Sequence, residues 1–225
     1  MILAAGRGER MRPLTDRVPK ALLEVGGKPL IAWQIERLAA GGFDDIVINH
    51  AHLGHLIEAA LGNGARFGVR IAYSREAEAL DTAGGVACAL PLLGADPFLL
   101  ISSDLHSDCD YSRLAPVAAA MRHDGRLAHL LLLAVTPPPP YDFALESGDT
   151  GLIIRNGTPG LTFAGIAAFS PTLFSKIERG AKAPLLPLLC EAIAGRRASG
   201  EMFHGRLENL TTPAQLAALD RRLRA

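Results

Sequence analysis

Short apolar runs alternate with stretches of helical periodicity through the first hundred residues. Met1–Ala5 is an apolar run that stops at a glycine-rich segment. Pro29 suits the opening of a helix, and Ile31, Ile35 and Leu38 then recur at helical spacing until Gly41-Gly42 ends them. Ile46–Asn49 reads as a strand. Leu53, Leu56, Ile57, Ala60 and Leu61 form an i, i+3, i+4, i+7, i+8 stripe, which predicts an amphipathic helix. Val69–Tyr73 is the next strand, Ala83–Leu92 a helix of small residues ended by Pro91 and Gly94, and Phe98–Ser102 a further strand. These runs are continuous rather than alternating, as strands buried on both faces are. The order predicts an α/β fold with a mostly parallel sheet flanked by helices.

The second half is more mixed. Tyr111–Met121 reads as a helix and Ala128–Val135 as a buried strand. Pro137–Pro140 is a rigid loop that cannot continue a sheet. Phe143–Leu145, Leu152–Arg155 and Leu161–Phe169 read as a short meander that extends the sheet. Ser170-Pro171 is a helix start, Leu185–Ala194 a helix, and Thr212-Pro213-Ala214-Gln215 a capping box before Leu216, Leu219 and Leu223. No repeat and no linker interrupts the chain, so residues 1–225 are expected to form one domain.

Composition narrows the function. Of 225 residues, 49% are hydrophobic, and Lys+Arg equals Asp+Glu at 23 each. A neutral chain has no general pull toward nucleic acid or anionic lipid, and 5% aromatics are few for a base-stacking surface. Cys88, Cys109 and Cys190 are odd in number and far apart, which fits small buried residues in a reducing cytoplasm. No apolar run approaches the ~20 residues of a membrane span. Met1–Ala5 is too short for the core of a signal peptide. The expected partners are therefore small molecules, with no nucleic acid and no membrane.

The chemistry concentrates in Leu3-Ala4-Ala5-Gly6-Arg7-Gly8-Glu9-Arg10-Met11-Arg12-Pro13-Leu14-Thr15, followed by Pro19-Lys20. A strand ends in two glycines, whose backbone can expose successive N–H groups to an anion. Arginines and a lysine surround them, so a polyphosphate is the natural guest. Gly6-Arg7-Gly8 lacks the third glycine of a dinucleotide fingerprint, and no Walker loop is present.

The segment resembles the signature of the sugar-1-phosphate nucleotidyltransferases. It matches at Leu3, Ala4, Ala5, Gly6, Gly8, Arg10, Met11, Pro13, Leu14, Thr15, Pro19 and Lys20. The resemblance implies the nucleotide-diphospho-sugar transferase fold, which is Rossmann-like. It also implies a reaction in which a sugar-1-phosphate oxygen attacks the α-phosphorus of a nucleoside triphosphate. Leu3 to Arg10, with Arg7 and Glu9 included, would then bind nucleotide. Arg10 would hold the triphosphate, and Lys20 would stabilise charge in the transition state.

The same resemblance assigns later residues. Gly84 and Gly85 would contact the nucleotide with Asp81, although Asp81 or Thr82 also suits a helix cap. Asp104 stands where the family binds Mg²⁺, with Ser103 in place of a glycine. Asp110 reads instead as the cap of the Tyr111 helix. Gly165 would line the sugar pocket, and Glu146 and Lys182 would hold the sugar phosphate. Asn209 stands where a second metal-binding aspartate is expected, and Thr211 replaces a glycine. That departure keeps a second reading open, a nucleotide-binding protein with impaired turnover. His50, His52 and His55 read as loop and helix-surface residues. The match begins unusually close to the first strand, as in a chain lacking a few leading residues. A monomer or small homo-oligomer is expected, and no base-reading code is visible.

Overall fold

The computed structural model describes residues 1–134, 143–155 and 160–224, so the tetraproline lies outside the described residues. Strand β1 (Ile2–Leu3) leads through the glycine-rich loop to a small hairpin, β2 (Glu24–Val25) and β3 (Lys28–Pro29). Then follow α1 (Leu30–Ala40), β4 (Asp45–His50), α2 (Gly54–Leu61), β5 (Arg70–Arg75), α3 (Asp81–Leu93) and β6 (Phe98–Ser102). The second half comprises β7 (Leu105–Ser107), α4 (Leu114–Ala120), β8 (Ala128–Ala134), β9 (Ala144–Leu145), β10 (Thr150–Ile154) and β11 (Leu161–Phe169). It closes with α5 (Leu185–Ala194), β12 (Ala198–Met202), β13 (Leu207–Asn209) and α6 (Pro213–Arg224).

One nine-stranded sheet has the order β5-β4-β1-β6-β11-β8-β12-β10-β9. Only β11 and β10 run against the other strands. The expected mostly parallel sheet is therefore observed, and the carboxy-terminal half does extend it. Successive strand residues face opposite layers. Ile2, Ile46, Ile48 and Ile101 pack under α1, α2 and α4, whereas Met1, Val47 and Leu100 pack under α3 and α5. A third cluster, Met11, Leu23, Val25, Leu30, Leu210 and Leu219, fastens α6 to the glycine-rich loop and the hairpin.

Local signals set most boundaries. Gln215 Oε1 accepts from Thr211 N at 2.9 Å and Thr212 N at 3.0 Å, the expected capping box. Asp110 Oδ1 accepts from Ser112 N at 2.9 Å, and those bonds hold its carboxyl below the usual range. Three expectations need correction. The meander does not form, because β10 pairs with β9 and β12 whereas β11 lies between β6 and β8. The Tyr111 helix is one 3-10 turn, Tyr111–Arg113, before α4 begins. Pro91 does not end α3, which continues to Leu93. A proline so near the end forfeits one backbone bond, and the last turn still closes through Gly94 N to Leu90 O at 3.1 Å.

The start of α3 is capped by another part of the chain. Ala183 O accepts from Ala83 N at 3.0 Å and Gly84 N at 3.1 Å, while Ala183 N donates to Leu80 O at 3.0 Å. This strap lies so close that a Cβ on Gly84 would sit 2.3 Å from Ala181 O. Gly84→Ala gains at most about 1 kcal/mol of helix propensity. Overpacking against backbone costs about 1–3 kcal/mol. The clash should win, and a lower urea midpoint with unchanged slope is the expected result.

Candidate active site

Parallel strands of an open α/β sheet leave a crevice beyond their carboxyl ends. Here β1, β4 and β6 end together, and a cavity of about 400 Å³ opens there. Leu3, Ala4, Ala5, Gly6, Gly8, Glu9, Arg10, Lys20, Asp81 and Asp104 all line it. The structure thus brings most of the sequence-derived candidates to one place.

The loop after β1 is shaped by Gly8. Its φ of 69° lies in the left-handed region, and a Cβ there would meet Thr15 Cγ2 at 3.0 Å and Lys20 Cβ at 3.2 Å. Glycine is the residue that meets both conditions. Thr15 Oγ1 donates to Gly8 O at 2.9 Å, and the buried Met11 pins the following turn into the core. The arginines then divide. Arg7 donates to Thr15 O at 2.6 Å and Asp16 Oδ1 at 2.8 Å, and Arg12 Nε lies 2.9 Å from the same carboxylate. These partners, Arg7 first, hold the Asp16 carboxyl below its usual range. Arg7 is spent on the loop and does not line the cavity. Arg10 does, and it makes no ion pair among the described residues.

Lys20 and Asp104 meet across 84 residues of sequence. Lys20 Nζ donates to Asp104 Oδ2 at 2.5 Å, with both side chains mostly buried. Asp104 is placed by β6, because Ser103 N donates to Leu3 O at 3.0 Å and carries the ladder one step past the strand. Ser103 itself is buried and lines the cavity. Beyond it, β7 pairs antiparallel with β13, with Leu105 opposite Asn209, and Leu210 N donates to Asp104 O at 2.9 Å. Asp104 is thereby opposite Leu210, one step along from the Leu105–Asn209 pair, and the two candidates line different cavities, Asp104 the first and Asn209 the second. Glu208 pairs with Arg222.

A second cavity, about 510 Å³, adjoins the first and shares Leu3, Thr82 and Ser102 with it. Asn209 and Gly165 line it together with Phe163, Leu185, Leu186 and Leu189. Gly165 lies where the β11–β8 register slips between Phe163 and Ala167. Its φ is 78°, and a Cβ would stand 3.0 Å from Leu105 Cδ1 and 3.3 Å from Ser102 Oγ.

Other candidates are elsewhere. Glu146 lines neither cavity, and its carboxylate forks onto Arg196 at 2.9 and 3.0 Å on the sheet edge. Arg196 is that carboxyl's whole reason for lying below its usual range. Lys182 is exposed on the strap over α3 and lines neither cavity. Gly84 and Gly85 are helix-packing positions, as the Ala181 contact and a clash with Asn49 and Glu76 show, and they do not reach the cavity. Asp81 does line it, with a φ of 63°. His50 bonds Glu58 at 2.8 Å and His52 bonds Thr15 O at 3.1 Å, so both are structural. No cluster of three or more metal-ligating acids, histidines or cysteines occurs among the described residues. Burial pushes the Cys109 thiol up to about 11.

Asn49 and Ala79 line the first cavity without having been singled out in the sequence, and Thr211, noted there only for replacing a glycine, lines it too. Asn49 had a usable signal, an amide at the end of an otherwise apolar buried strand.

The chain belongs to the nucleotidyl transferase family, whose model matches residues 1–154. It is a nucleotidyltransferase. It is 49% identical to the N-acetylmuramate alpha-1-phosphate uridylyltransferase of Neisseria meningitidis serogroup B, over 91% of this chain and 89% of that one. It is 32% identical to the mannose-1-phosphate guanylyltransferase catalytic subunit beta of Danio rerio, over 79% of this chain and 51% of that protein. A crystal structure of apo UDP-glucose pyrophosphorylase superposes with a TM-score of 0.77 at 16% identity, covering 98% of this chain and 96% of the other, a likeness of fold. No helix of the described residues is long and apolar enough to cross a membrane.

Lys20→Ala should lower pyrophosphate release by roughly a hundredfold or more, the usual loss when one preorganised electrostatic contact disappears. Lys20→Arg should restore little, because a planar fork cannot replace a point charge between Gly8 and Asp104. Steady-state rates at saturating triphosphate check this, and a near-normal kcat for the alanine variant would remove Lys20 from the chemistry.

Proposed function

We propose that the protein transfers a uridylyl group from UTP to N-acetylmuramate α-1-phosphate, releasing pyrophosphate, as a cytoplasmic step in the recycling of cell-wall sugar. One observation carries this reading. Two cavities share an edge, and the Lys20–Asp104 pair stands on the polar side of it. The Neisseria meningitidis relative supports the choice of base and sugar.

The roles follow from the geometry. A triphosphate lies in the first cavity, its oxygens toward the amides of the Gly6–Arg10 loop and the free Arg10 side chain. The sugar phosphate enters from the second cavity, whose walls of Leu185, Leu186, Leu189 and Phe163 suit a sugar bearing methyl groups. A phosphate oxygen, already anionic, bonds to the α-phosphorus as the bond to the bridging oxygen breaks and pyrophosphate leaves. No general base is required. Lys20 turns from Asp104 to the α-phosphate and meets the charge that develops there.

A divalent ion fits these residues. Mg²⁺ takes oxygen donors and is commonly held by one or two carboxylates plus substrate phosphates. Asp104 would supply the carboxylate, and Asn209, which precedes the Leu210 that bonds Asp104 O, would supply an amide oxygen from the adjoining cavity. When bound, the ion neutralises phosphate charge. The neutral Asn209 favours one rival reading, a protein that binds nucleotide and turns it over poorly.

Pyrophosphate release measured with UTP, GTP, dTTP and ATP against N-acetylmuramate, mannose and glucose 1-phosphates tests the proposal. UTP with the muramate phosphate should give the highest kcat/KM. GTP with mannose 1-phosphate in first place would favour a guanylyltransferase. No release with any pair would favour the binding protein.

Asn209→Asp adds a charge with little change of shape. The variant should reach half-maximal rate at lower Mg²⁺ and bind Mn²⁺ more tightly by paramagnetic titration in the presence of triphosphate. Unchanged metal dependence would place Asn209 away from the ion. Turnover that appears only in the variant would support the rival reading.

A further inference from the structure

The wall between β1 and α3 depends on a buried relay of two polar side chains. Asn49 is the fifth residue of β4 and 2% exposed, and Glu76 follows β5 and is 7% exposed. Ala4 is the first residue past β1, where the ladder ends, and its N–H donates to Asn49 Oδ1 at 3.0 Å. Asn49 Nδ2 donates to Glu76 Oε1 at 2.6 Å. Glu76 Oε2 accepts from Leu80 N at 3.0 Å, immediately before α3. Ala4 N–H can only donate, so the amide orientation is fixed: its oxygen faces Ala4 and its NH₂ faces the carboxylate. Gly85 closes the arrangement, since a Cβ there would stand 2.7 Å from Asn49 Nδ2 and 2.8 Å from Glu76 Oε1. The relay thereby joins β1, β4, β5 and α3.

We infer that Asn49 and Glu76 are positioning residues that fix the distance between Ala4 and the Leu80–Thr82 turn, and so set the affinity for the triphosphate. The inference rests on reading the first cavity as the nucleotide site. Ala4, Asn49, Ala79, Asp81 and Thr82 all line that cavity, whereas Glu76 does not and acts on it through Asn49 and Leu80. Glu76 also has no ion pair among the described residues, so its buried charge is held by two neutral donors. Such a group is costly unless every bond is made, and a fully satisfied network specifies one geometry. Neither Asn49 nor Glu76 bonds Lys20 or Asp104. Disturbing it should weaken ground-state and transition-state binding alike, which raises KM and leaves kcat.

The pairing can be broken singly and restored doubly. In Glu76→Gln one carboxylate oxygen becomes a donor, and it must oppose either the Asn49 NH₂ or Leu80 N–H. In Asn49→Asp two carboxylates face each other. In the double variant Asn49→Asp/Glu76→Gln every pairing returns with its direction adjusted. The new carboxylate accepts from Ala4 N–H and from the new amide, whose oxygen accepts from Leu80 N–H. The full chain and the three variants would be compared by melting temperature and by steady-state kinetics with UTP as the varied substrate.

Each single variant should raise the UTP KM by about tenfold or more with kcat changed less than about threefold, and the double variant should recover most of that loss. Unchanged KM in both single variants, or a double variant as impaired as either, would overturn the inference. If a single variant does not fold, the double variant decides alone: folding with near-normal KM supports the relay, and failure to fold overturns it. A wild-type protein that neither binds nor turns over any triphosphate would overturn the nucleotide reading and this inference with it. A working enzyme with indifferent variants would overturn the inference only.

Discussion

Strand β1 has two residues, and the geometry of the site hangs on it. It is held between two longer parallel strands, with Ile2 level with Ile48 and Ile101, and Leu3 level with Asn49 and Ser102. A strand this short cannot stand alone. Its ladder bonds come from both neighbours, and both of its side chains are largely covered. Because it ends so soon, the chain leaves the sheet at Ala4 while its flanking strands still define the walls. The backbone turns into the Gly6–Met11 loop there, and the polar groups that β1 would have paired find other partners. Asn49 takes the Ala4 amide, and Leu3 O takes Ser103 N. The crevice beyond the sheet thus opens where β1 and β6 end level and β4 runs one residue further.

The charges around the crevice are arranged with the same economy. Arg7 and Arg12 converge on Asp16 and cancel within the loop. Lys20 and Asp104 cancel across the cavity floor. Asn209 adds no charge. Arg10 faces the cavity together with backbone amides that can meet an anion, and Glu9 and Asp81 stand on the same lining. A carboxylate at position 209 would leave the floor net negative without ligand. In the proposed chemistry, a cation held by one carboxylate and an amide would depend more heavily on phosphate oxygens that arrive with the substrate.

The strand and helix order was readable in the sequence because buried parallel strands give unbroken apolar runs and the helices carry clear stripes. The glycine-rich loop was readable because its constraints are local: Gly8 needs a left-handed φ, Met11 a place in the core, and Thr15 a bond to Gly8 O. Glu146 and Lys182 were not, because their roles depend on distant partners. Arg196 claims Glu146 fifty positions later, and the strap that carries Lys182 faces α3 for its carbonyl and not for its lysine. Gly84 and Gly85 read equally well as ligand contacts or packing positions. Only the approach of Ala181 O and of the Asn49–Glu76 pair distinguishes the two.

Three left-handed residues line the two cavities: Gly8 on the loop after β1 and Asp81 at the start of α3 in the first, and Gly165 at the bulge in β11 in the second. Two are glycines whose missing side chains leave room for Lys20 and for Leu105. Asp81 differs, since a side chain is retained in a conformation that disfavours one. Aspartate is among the few residues that tolerate it, because its carboxylate can bond locally, as Asp81 Oδ1 does with Thr82 N at 2.7 Å. Glycine would relieve the strain and satisfy the turn equally well. Asp81 therefore presents a hydrogen-bond acceptor to the first cavity, which suits a partner that donates hydrogen bonds rather than a phosphate.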